Sequence, residues 1–277
     1  MKGAKNRMFF DEGLRIKYRP NFFQRNKTSW TRVRVGDEKI IREVLVRKEY
    51  CKCGIDVVGG SWLDIGAHVG TFACMAAQKG ARVLACEPHP ESRKLLRQNI
   101  NDNSLKVSVL SQALGINKAI DNIKTVKLYL AAESHAMHST SREPARDNGY
   151  VLVKKADVRS ILRKHVWIDS MKVDCEGEEK PILTKLLSSK KYIQRLRQIV
   201  FEWDLKPERK GDFPKTAPLK GILGKLRRAG YLVKTSSNWK RHKHQKYWTR
   251  RHTKSGRRIV LWPSGVLVYA VEKRRMQ

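Results

Sequence analysis

A short apolar strand, a turn with two glycines and a helix of small residues follow one another directly at residues 61–79. The turn reads Asp64-Ile65-Gly66-Ala67-His68-Val69-Gly70. Glycine at positions 66 and 70 lets the backbone turn tightly and lie close to a ligand, because no Cβ atom is in the way. The first turn of the helix offers unpaired N–H groups to a polar ligand. This segment therefore predicts a ligand-binding strand–turn–helix unit, with a spacing different from the Gly-x-Gly-x-x-Gly of dinucleotide enzymes.

A second acidic residue follows the next strand. Residues 82–86 form an apolar run that ends at Glu87, where a carboxylate can accept both hydroxyls of a ribose. The glycine turn alone leaves open an alternative without a ligand, in which Asp64 caps the helix. An acid at the tip of the neighbouring strand favours the ribose-containing ligand.

Seven apolar runs with the length and punctuation of strands alternate with segments of helical periodicity. Such alternation predicts an α/β fold with a mostly parallel seven-stranded sheet and helices on both faces. We expect an N-terminal cap at residues 1–60 and a main domain at 61–277, with an insertion at about 116–165. The strands are expected at residues 61–66, 82–86, 105–110, 168–173, 198–203, 231–235 and 265–271.

Basic residues are in large excess: 59 Lys and Arg against 26 Asp and Glu give a net charge of +33. Residues 213–277 contain 18 of these bases and one acid, whereas residues 61–115 are nearly neutral. A field this positive attracts polyanions such as nucleic acids. An apolar fraction of 40% supports a buried core and excludes a disordered chain.

The sequence argues against a membrane span, a secreted protein, a disulfide framework and a zinc site. No apolar run reaches 18 residues, which argues against a membrane span, and the first ten residues lack a signal-peptide core. The five cysteines are odd in number and lie mostly in apolar segments, as expected of reduced thiols in a cytoplasmic protein. Cys51-x-Cys53 lacks a second pair at zinc-ligand spacing, so we expect no metal site. The oligomeric state has no sequence signal.

Four segments in this order resemble the FkbM-like S-adenosylmethionine-dependent methyltransferases; they are Trp62–Gly70, Cys86–Pro90, Leu96–Ile100 and Met171–Glu179. The last of these contains the most specific pattern, Lys-x-Asp-x-Glu-Gly. The resemblance implies a Rossmann-like class I methyltransferase fold, S-adenosylmethionine as cofactor and transfer to a hydroxyl of a sugar or another small acceptor. Two departures are His68, where the family usually has asparagine, and the basic region after residue 236.

Carried over by position, the resemblance implies a cosubstrate site along the first three strand tips. Gly66 and Gly70 would pass under the amino acid part, and Glu87 would bind the ribose. Asp64 would stand behind the turn, and the segment after the third strand would lie near the adenine. The complete expected set is Asp64, Gly66, Ala67, His68, Gly70, Glu87, Gln112 and Ala113.

Acceptor chemistry is expected at the end of the fourth strand. Asp174 and Glu176 can accept the hydroxyl proton, orient the acceptor or hold a divalent cation. As the alternative, both acids cap the following helix. His138, in the insertion, is the further candidate base, since the ordinary pKa of histidine suits proton transfer near neutral pH.

The most basic segment, residues 238–263, has nine Lys or Arg residues and no acid, interleaved with four aromatic residues. It lies between the last two expected strands. Bases neutralise phosphates and aromatic faces stack on nucleobases, so Lys240–Arg258 is a candidate RNA-binding segment. The alternative is a solvated loop. At the level of the whole chain, an RNA-directed methyltransferase or a basic RNA-binding subunit with this fold remains the second hypothesis.

Overall fold

A computed structural model describes the backbone in eleven stretches: residues 8–11, 14–19, 22–24, 30–32, 38–130, 138–140, 149–204, 217–236, 250–252, 258–260 and 265–272. Most of the segment at 238–263, including Trp239, Tyr247, Trp248 and Trp262, lies outside them, as does His135.

Four short antiparallel strands come first and pair in chain order: β1 (Met8–Asp11), β2 (Leu14–Arg19), β3 (Phe22–Gln24) and β4 (Trp30–Arg32). A single helical turn, α1 (Glu38–Ile41), continues into a π-helical turn at Arg42–Val46, and a 3₁₀ turn follows at Glu49–Cys51.

Strands and helices then alternate along the main domain. They are β5 (Ser61–Ile65), α2 (Thr71–Gln78), β6 (Arg82–Cys86), α3 (Pro90–Asp102), β7 (Val107–Leu110), β8 (Gln112–Gly115), β9 (Lys124–Tyr129), β10 (Tyr150–Asp157), α4 (Val158–Lys164), β11 (Ser170–Val173), α5 (Glu179–Leu187), α6 (Lys190–Ile193), β12 (Gln198–Asp204), α7 (Ala217–Arg228), β13 (Tyr231–Thr235), β14 (Arg250–His252), β15 (Arg258–Val260) and β16 (Gly265–Glu272).

Seven of these strands form the central sheet, in the order β13-β16-β12-β11-β5-β6-β7. Only β16 runs antiparallel to its two neighbours, and the other pairs are parallel. The prediction of an α/β fold with a mostly parallel seven-stranded sheet is confirmed. Because parallel strands end at one edge, the residues that follow β5, β6, β7 and β11 lie together there.

Both faces of this sheet are covered, because its strands alternate buried side chains between two cores. Trp62 and Val83 face a core shared with α2, α3 and residues 41–57. Leu63 and Leu84 face a second core built from α4, α5 and α7. Each such large apolar side chain contributes about 1.5–3 kcal/mol when fully buried. The second half of the expected N-terminal cap thus packs into the main core, where the Tyr269 hydroxyl donates to the Glu49 carbonyl at 2.8 Å.

The structure differs from the expected insertion at 116–165 near the C-terminal end of that segment. Strands β8, β10 and β9 form a separate three-stranded sheet in that order. Helix α4 instead belongs to the main domain, since Val158, Ile161 and Leu162 are buried in its core. Asp157 starts this helix by accepting the Arg159 amide, and its carboxylate pairs with the Arg159 guanidinium at 2.7 Å.

Candidate active site

The turn after β5 has two glycines with left-handed backbone, Gly66 at φ +78° and Gly70 at φ +87°. A Cβ atom added at Gly66 would lie 1.7 Å from the Asp174 carbonyl oxygen, and one at Gly70 would lie 2.3 Å from Leu96 Cδ1. A side chain at either glycine is therefore excluded by other parts of the protein, and the expected approach of the turn to a ligand stays a prediction. At Gly66 the contact with Asp174 brings the cosubstrate turn against the candidate acceptor strand.

Glu87, at the tip of β6, links two loops through its carboxylate. Oε2 accepts the His68 amide at 2.7 Å and Oε1 accepts the His89 amide at 2.8 Å. His68 holds this position with a left-handed φ of +53°. Next to it the Ala67 amide donates to the carbonyl of Cys86 at 3.0 Å. The two loops that the sequence assigns to the cosubstrate are thereby held around one carboxylate.

Burial dominates the electrostatics of Glu87, whose exposed fraction is 6%. Desolvation raises its pKa to about 7, against the opposing effect of the His89 and His68 amides. A carboxylate has about four acceptor positions, and two of them are used by these amides. The remaining capacity suits hydroxyl donors such as those of a ribose.

A buried ionic cluster lies behind the glycine turn. Lys172 Nζ is 3.1 Å from Asp64 Oδ1 and 3.7 Å from Asp174 Oδ2, and it donates to the Gly66 carbonyl at 2.7 Å. Burial alone would lower the pKa of Lys172, but Asp64 and Asp174 outweigh it and the pKa is raised. Burial raises the pKa of Asp64, while the Lys172 ammonium opposes that shift. Asp64 is fully buried. It supports the glycine turn indirectly, because it contacts Lys172, which donates to the Gly66 carbonyl.

Tyr50, which precedes the first strand of the central sheet in the chain, adds a hydrogen bond to this cluster. Its hydroxyl donates to Asp174 Oδ2 at 2.7 Å, and its ring packs edge-on against Phe72. Burial, and then the charge of Asp174, raises the pKa of Tyr50 well above its ordinary value, so the hydroxyl remains a donor. The Asp174 side chain retains 28% exposure and can therefore meet an acceptor.

Glu179 organises the loop between β11 and α5. Its carboxylate accepts the amides of Cys175 at 2.7 Å and Gly177 at 2.8 Å. Within the loop Glu176 has a left-handed φ of +55°. The alternative in which Asp174 caps the helix fits poorly, since its Oδ2 is bound to Tyr50 and the first turn is tied to the loop by Glu179.

His138 lies between the loop that contains His89 and the loop between β11 and α5, which we call the acceptor loop. Its ring meets that of His89 with centroids 4.4 Å apart. The next residue, Ser139, donates its hydroxyl to the Glu176 carbonyl at 2.6 Å. The structure thus brings the three candidate catalytic residues, Asp174, Glu176 and His138, to the same edge of the sheet.

The two candidates expected near the adenine lie in β8. Gln112 is half-buried and pairs with Lys154 of β10. Ala113 is buried with Leu128 and Val153 in a small separate core. Any contact of Ala113 with the cosubstrate would therefore use its backbone, and the adenine role of both residues stays a prediction.

Three residues that shape this edge had no role in the sequence-based site: Lys172, Tyr50 and Glu179. A lysine within the apolar run Met171–Val173 does carry a signal, because a buried ammonium requires an anionic partner. Glu179 is an acid in a first helical turn, which indicates capping without naming the amides. Tyr50 carries no signal, since it lies 124 positions before Asp174.

Metal ligation and membrane insertion find no support in the described part of the chain. No group of three or more His, Cys, Asp or Glu residues there could hold a metal ion. No described helix is long and apolar enough to cross a bilayer. All five cysteines lie in described stretches, and none forms a disulfide.

A family model for the methyltransferase FkbM domain matches residues 64–233, which is more than half of the chain. The chain belongs to the FkbM methyltransferase family. It is a methyltransferase, and S-adenosylmethionine is its methyl donor. No curated protein sequence matches the chain significantly.

Several solved structures are similar to the chain at low identity. Fibrillarin from Aeropyrum pernix, with natively bound S-adenosylmethionine, is 11% identical over 98% of this chain and 84% of that one, with a TM-score of 0.43. Magnesium protoporphyrin IX methyltransferase from Synechocystis PCC 6803 with bound S-adenosylhomocysteine is 12% identical over 87% and 85%, at 0.41. Precorrin 8w decarboxylase from Methanobacterium thermoautotrophicum is 14% identical over 82% and 88%, at 0.41. Such scores say nothing about the acceptor.

The residues at the sheet edge fit the cosubstrate. Glu87 combines a buried carboxylate with unused acceptor capacity at the tip of β6, as ribose binding requires. The turn Gly66–Gly70 leads into α2, whose first amides point to the same edge. These residues would hold the ribose and the amino acid part, respectively.

Replacing Glu87 by alanine is expected to weaken S-adenosylmethionine binding at least tenfold. Two hydrogen bonds to a charged acceptor would be lost, each on the order of 1.5–3 kcal/mol. Isothermal titration measures the dissociation constant, and circular dichroism checks that the variant is folded. An unchanged constant in a folded variant would refute the ribose assignment.

The raised pKa of Glu87 also predicts a pH dependence of binding. The carboxylate form accepts two hydroxyl donors, and protonation below about pH 7 removes part of that capacity. If only this form binds, the dissociation constant is about tenfold larger at pH 6 than at pH 8. The Glu87→Gln variant is the control, because its binding should be weak and flat between the two pH values. A flat wild-type profile would contradict the ionisation argument.

Proposed function

We propose that the protein transfers a methyl group from S-adenosylmethionine to a hydroxyl oxygen, with Asp174 as the general base. The observation that carries this proposal is the contact between the two halves of the site. The Asp174 backbone packs against Gly66 of the cosubstrate turn, while its side chain is 28% exposed at the same edge of the sheet.

When bound, S-adenosylmethionine supplies a methyl group on a sulfonium centre, which leaves as a neutral thioether. Methyl transfer to oxygen is an in-line displacement, so the protein must align the hydroxyl and remove its proton. Asp174 accepts that proton as the oxygen–carbon bond forms. The Tyr50 hydroxyl and the Lys172 ammonium both contact its Oδ2 and hold the carboxylate in position.

Glu176 and His138 complete the proposed acceptor site. Glu176 lies in the loop that follows Asp174 and has a left-handed φ of +55°; its carboxylate would orient the acceptor hydroxyl. His138, whose ring packs against that of His89, is the second candidate base.

Two classes of methyl acceptor are candidates. The family resemblance favours a sugar or another small hydroxyl compound, whereas the net charge of +33 favours RNA. Within the candidate segment Lys240–Arg258, the structure describes β14 and the first residue of β15, and these two strands pair antiparallel. A basic RNA-binding subunit that has lost the catalytic activity would bind RNA without binding S-adenosylmethionine. The cytoplasmic location of the protein stays a prediction.

A radiolabelled methyl transfer assay over total RNA, glycans and small-molecule extract tests this proposal. Label is expected in one acceptor fraction, with loss of transfer in the Asp174→Asn variant. Titration with S-adenosylmethionine is run in parallel. Absence of heat on titration, together with retained RNA binding, would support the binding subunit and overturn the enzyme.

A further inference from the structure

The small sheet β8-β10-β9 turns one face to solvent. The paired residues on that face are Tyr150 with Tyr129, Leu152 with Lys127, and Lys154 with Thr125. Leu152 is 66% exposed and Tyr150 is 48% exposed. Alternate residues on the same strands point the other way and form a small apolar core; they are Val126, Leu128, Val151 and Val153.

Aromatic rings and ammonium groups dominate this exposed face. The rings of Tyr129 and Tyr150 meet edge-on with centroids 6.3 Å apart. Lys127 Nζ lies 4.1 Å from the centroid of the Tyr150 ring. Lys154 Nζ donates to Thr125 Oγ1 at 3.1 Å. None of the six residues is acidic, whereas solvated faces normally mix both signs of charge.

We infer that this face, which we call the β9–β10 face, binds single-stranded RNA. Aromatic side chains stack on unpaired bases, and neighbouring lysines neutralise the phosphates between them. A neutral glycan would leave the two lysines without a function, and the net charge of +33 complements a polyanion. The face and the Lys240–Arg258 segment consist of different residues, so separate substitutions can test each.

The β9–β10 face is fixed to the acceptor loop by contacts on its other side and at its end. Lys155 of β10 forms an ion pair with Glu178 at 2.6 Å. Ser139 exchanges two backbone hydrogen bonds with Tyr129 and also binds the Glu176 carbonyl. A strand bound on the face would therefore run toward the proposed catalytic edge. Within an RNA strand the free hydroxyl is the ribose 2′-OH, which makes it the acceptor if the proposed function holds.

Fluorescence anisotropy with an oligouridine of about 12 nucleotides, measured on the full chain across a salt series, tests the inference. Tyr150→Ala should weaken binding about 5- to 150-fold with little change in salt slope, since stacking releases no counterions. Tyr150→Phe keeps the ring and should bind like the wild type. The double variant Lys127→Ala/Lys154→Ala should lower the log–log slope by about 1.4.

A matched control removes the same charge elsewhere. Lys220 and Lys225 are exposed on α7, and their double alanine variant should keep both affinity and slope. Thermal unfolding and S-adenosylmethionine titration confirm that each variant is folded. The inference would be overturned if Tyr150→Ala and the β9–β10 lysine variant both bind RNA as tightly as the wild type does. It would also be overturned if these substitutions weaken the binding of a neutral oligosaccharide and leave RNA binding unchanged.

Failure of the proposed function gives a different result from failure of this inference. If the wild type binds RNA through the β9–β10 face but methylates no fraction, the inference stands and the proposed function fails. If methylation of a small acceptor is unaffected by Tyr150→Ala and RNA binding is also unaffected, the inference fails and the proposed function stands.

Discussion

The Asp174→Asn variant is expected to bind S-adenosylmethionine normally while turnover falls by about 10²–10⁴-fold, the usual contribution of general acid–base catalysis. Asparagine keeps the shape of the side chain and can still accept the Tyr50 hydroxyl, which lies 2.7 Å from Oδ2 in the wild type. It cannot accept the hydroxyl proton of the acceptor. Single-turnover rates and the dissociation constant of the cosubstrate separate these two effects.

Two further variants sharpen the interpretation. Tyr50→Phe removes the hydrogen bond to Oδ2 but leaves the carboxylate, so its loss of turnover should be smaller than that of Asp174→Asn. Glu176→Gln should change acceptor KM more than kcat, because Glu176 is proposed to orient rather than deprotonate. Nearly normal turnover in Asp174→Asn would show that the base lies elsewhere, with His138 next to be tested.

The central sheet could be predicted because each of its strands is an apolar run that ends at a turn or an acid. The run at Arg82–Cys86 and that at Tyr231–Thr235 were predicted with the observed bounds. The small sheet is harder to predict, because β8 (Gln112–Gly115) is four residues long and follows β7 after a single residue. The expected insertion likewise included α4, whose place in the main core depends on side chains from distant helices.

The candidate site divides in the same way. Glu87 and Asp174 could be placed from sequence because strand order puts strand tips at one edge. The need for glycine at position 66 could be predicted, but its cause is the Asp174 carbonyl, a contact between strands more than 100 residues apart. Tyr50 is bound to the site through the packing of residues 41–57 on α2, which no local pattern encodes.

Replacing Lys172 by methionine is expected to destabilise the protein by about 3–5 kcal/mol, the usual cost of removing one partner of a buried ion pair. Asp64 would remain fully buried without its cation, and Asp174 would lose the ammonium 3.7 Å from its Oδ2. Urea unfolding measures the change in the free energy of unfolding. Lys185→Met, at an exposed position of α5, should stay within about 0.5 kcal/mol of the wild type.

The double variant Lys172→Met/Asp64→Leu decides whether the loss comes from the stranded carboxylate. Replacing a buried ion pair by apolar residues of similar size is often neutral or stabilising, so much of the lost stability should return. Turnover of both variants should stay below that of the wild type, because Lys172 also binds the Gly66 carbonyl and lies beside Asp174 Oδ2. Recovery of both would make the cluster purely structural. A single variant as stable as the wild type would contradict the ion pair itself.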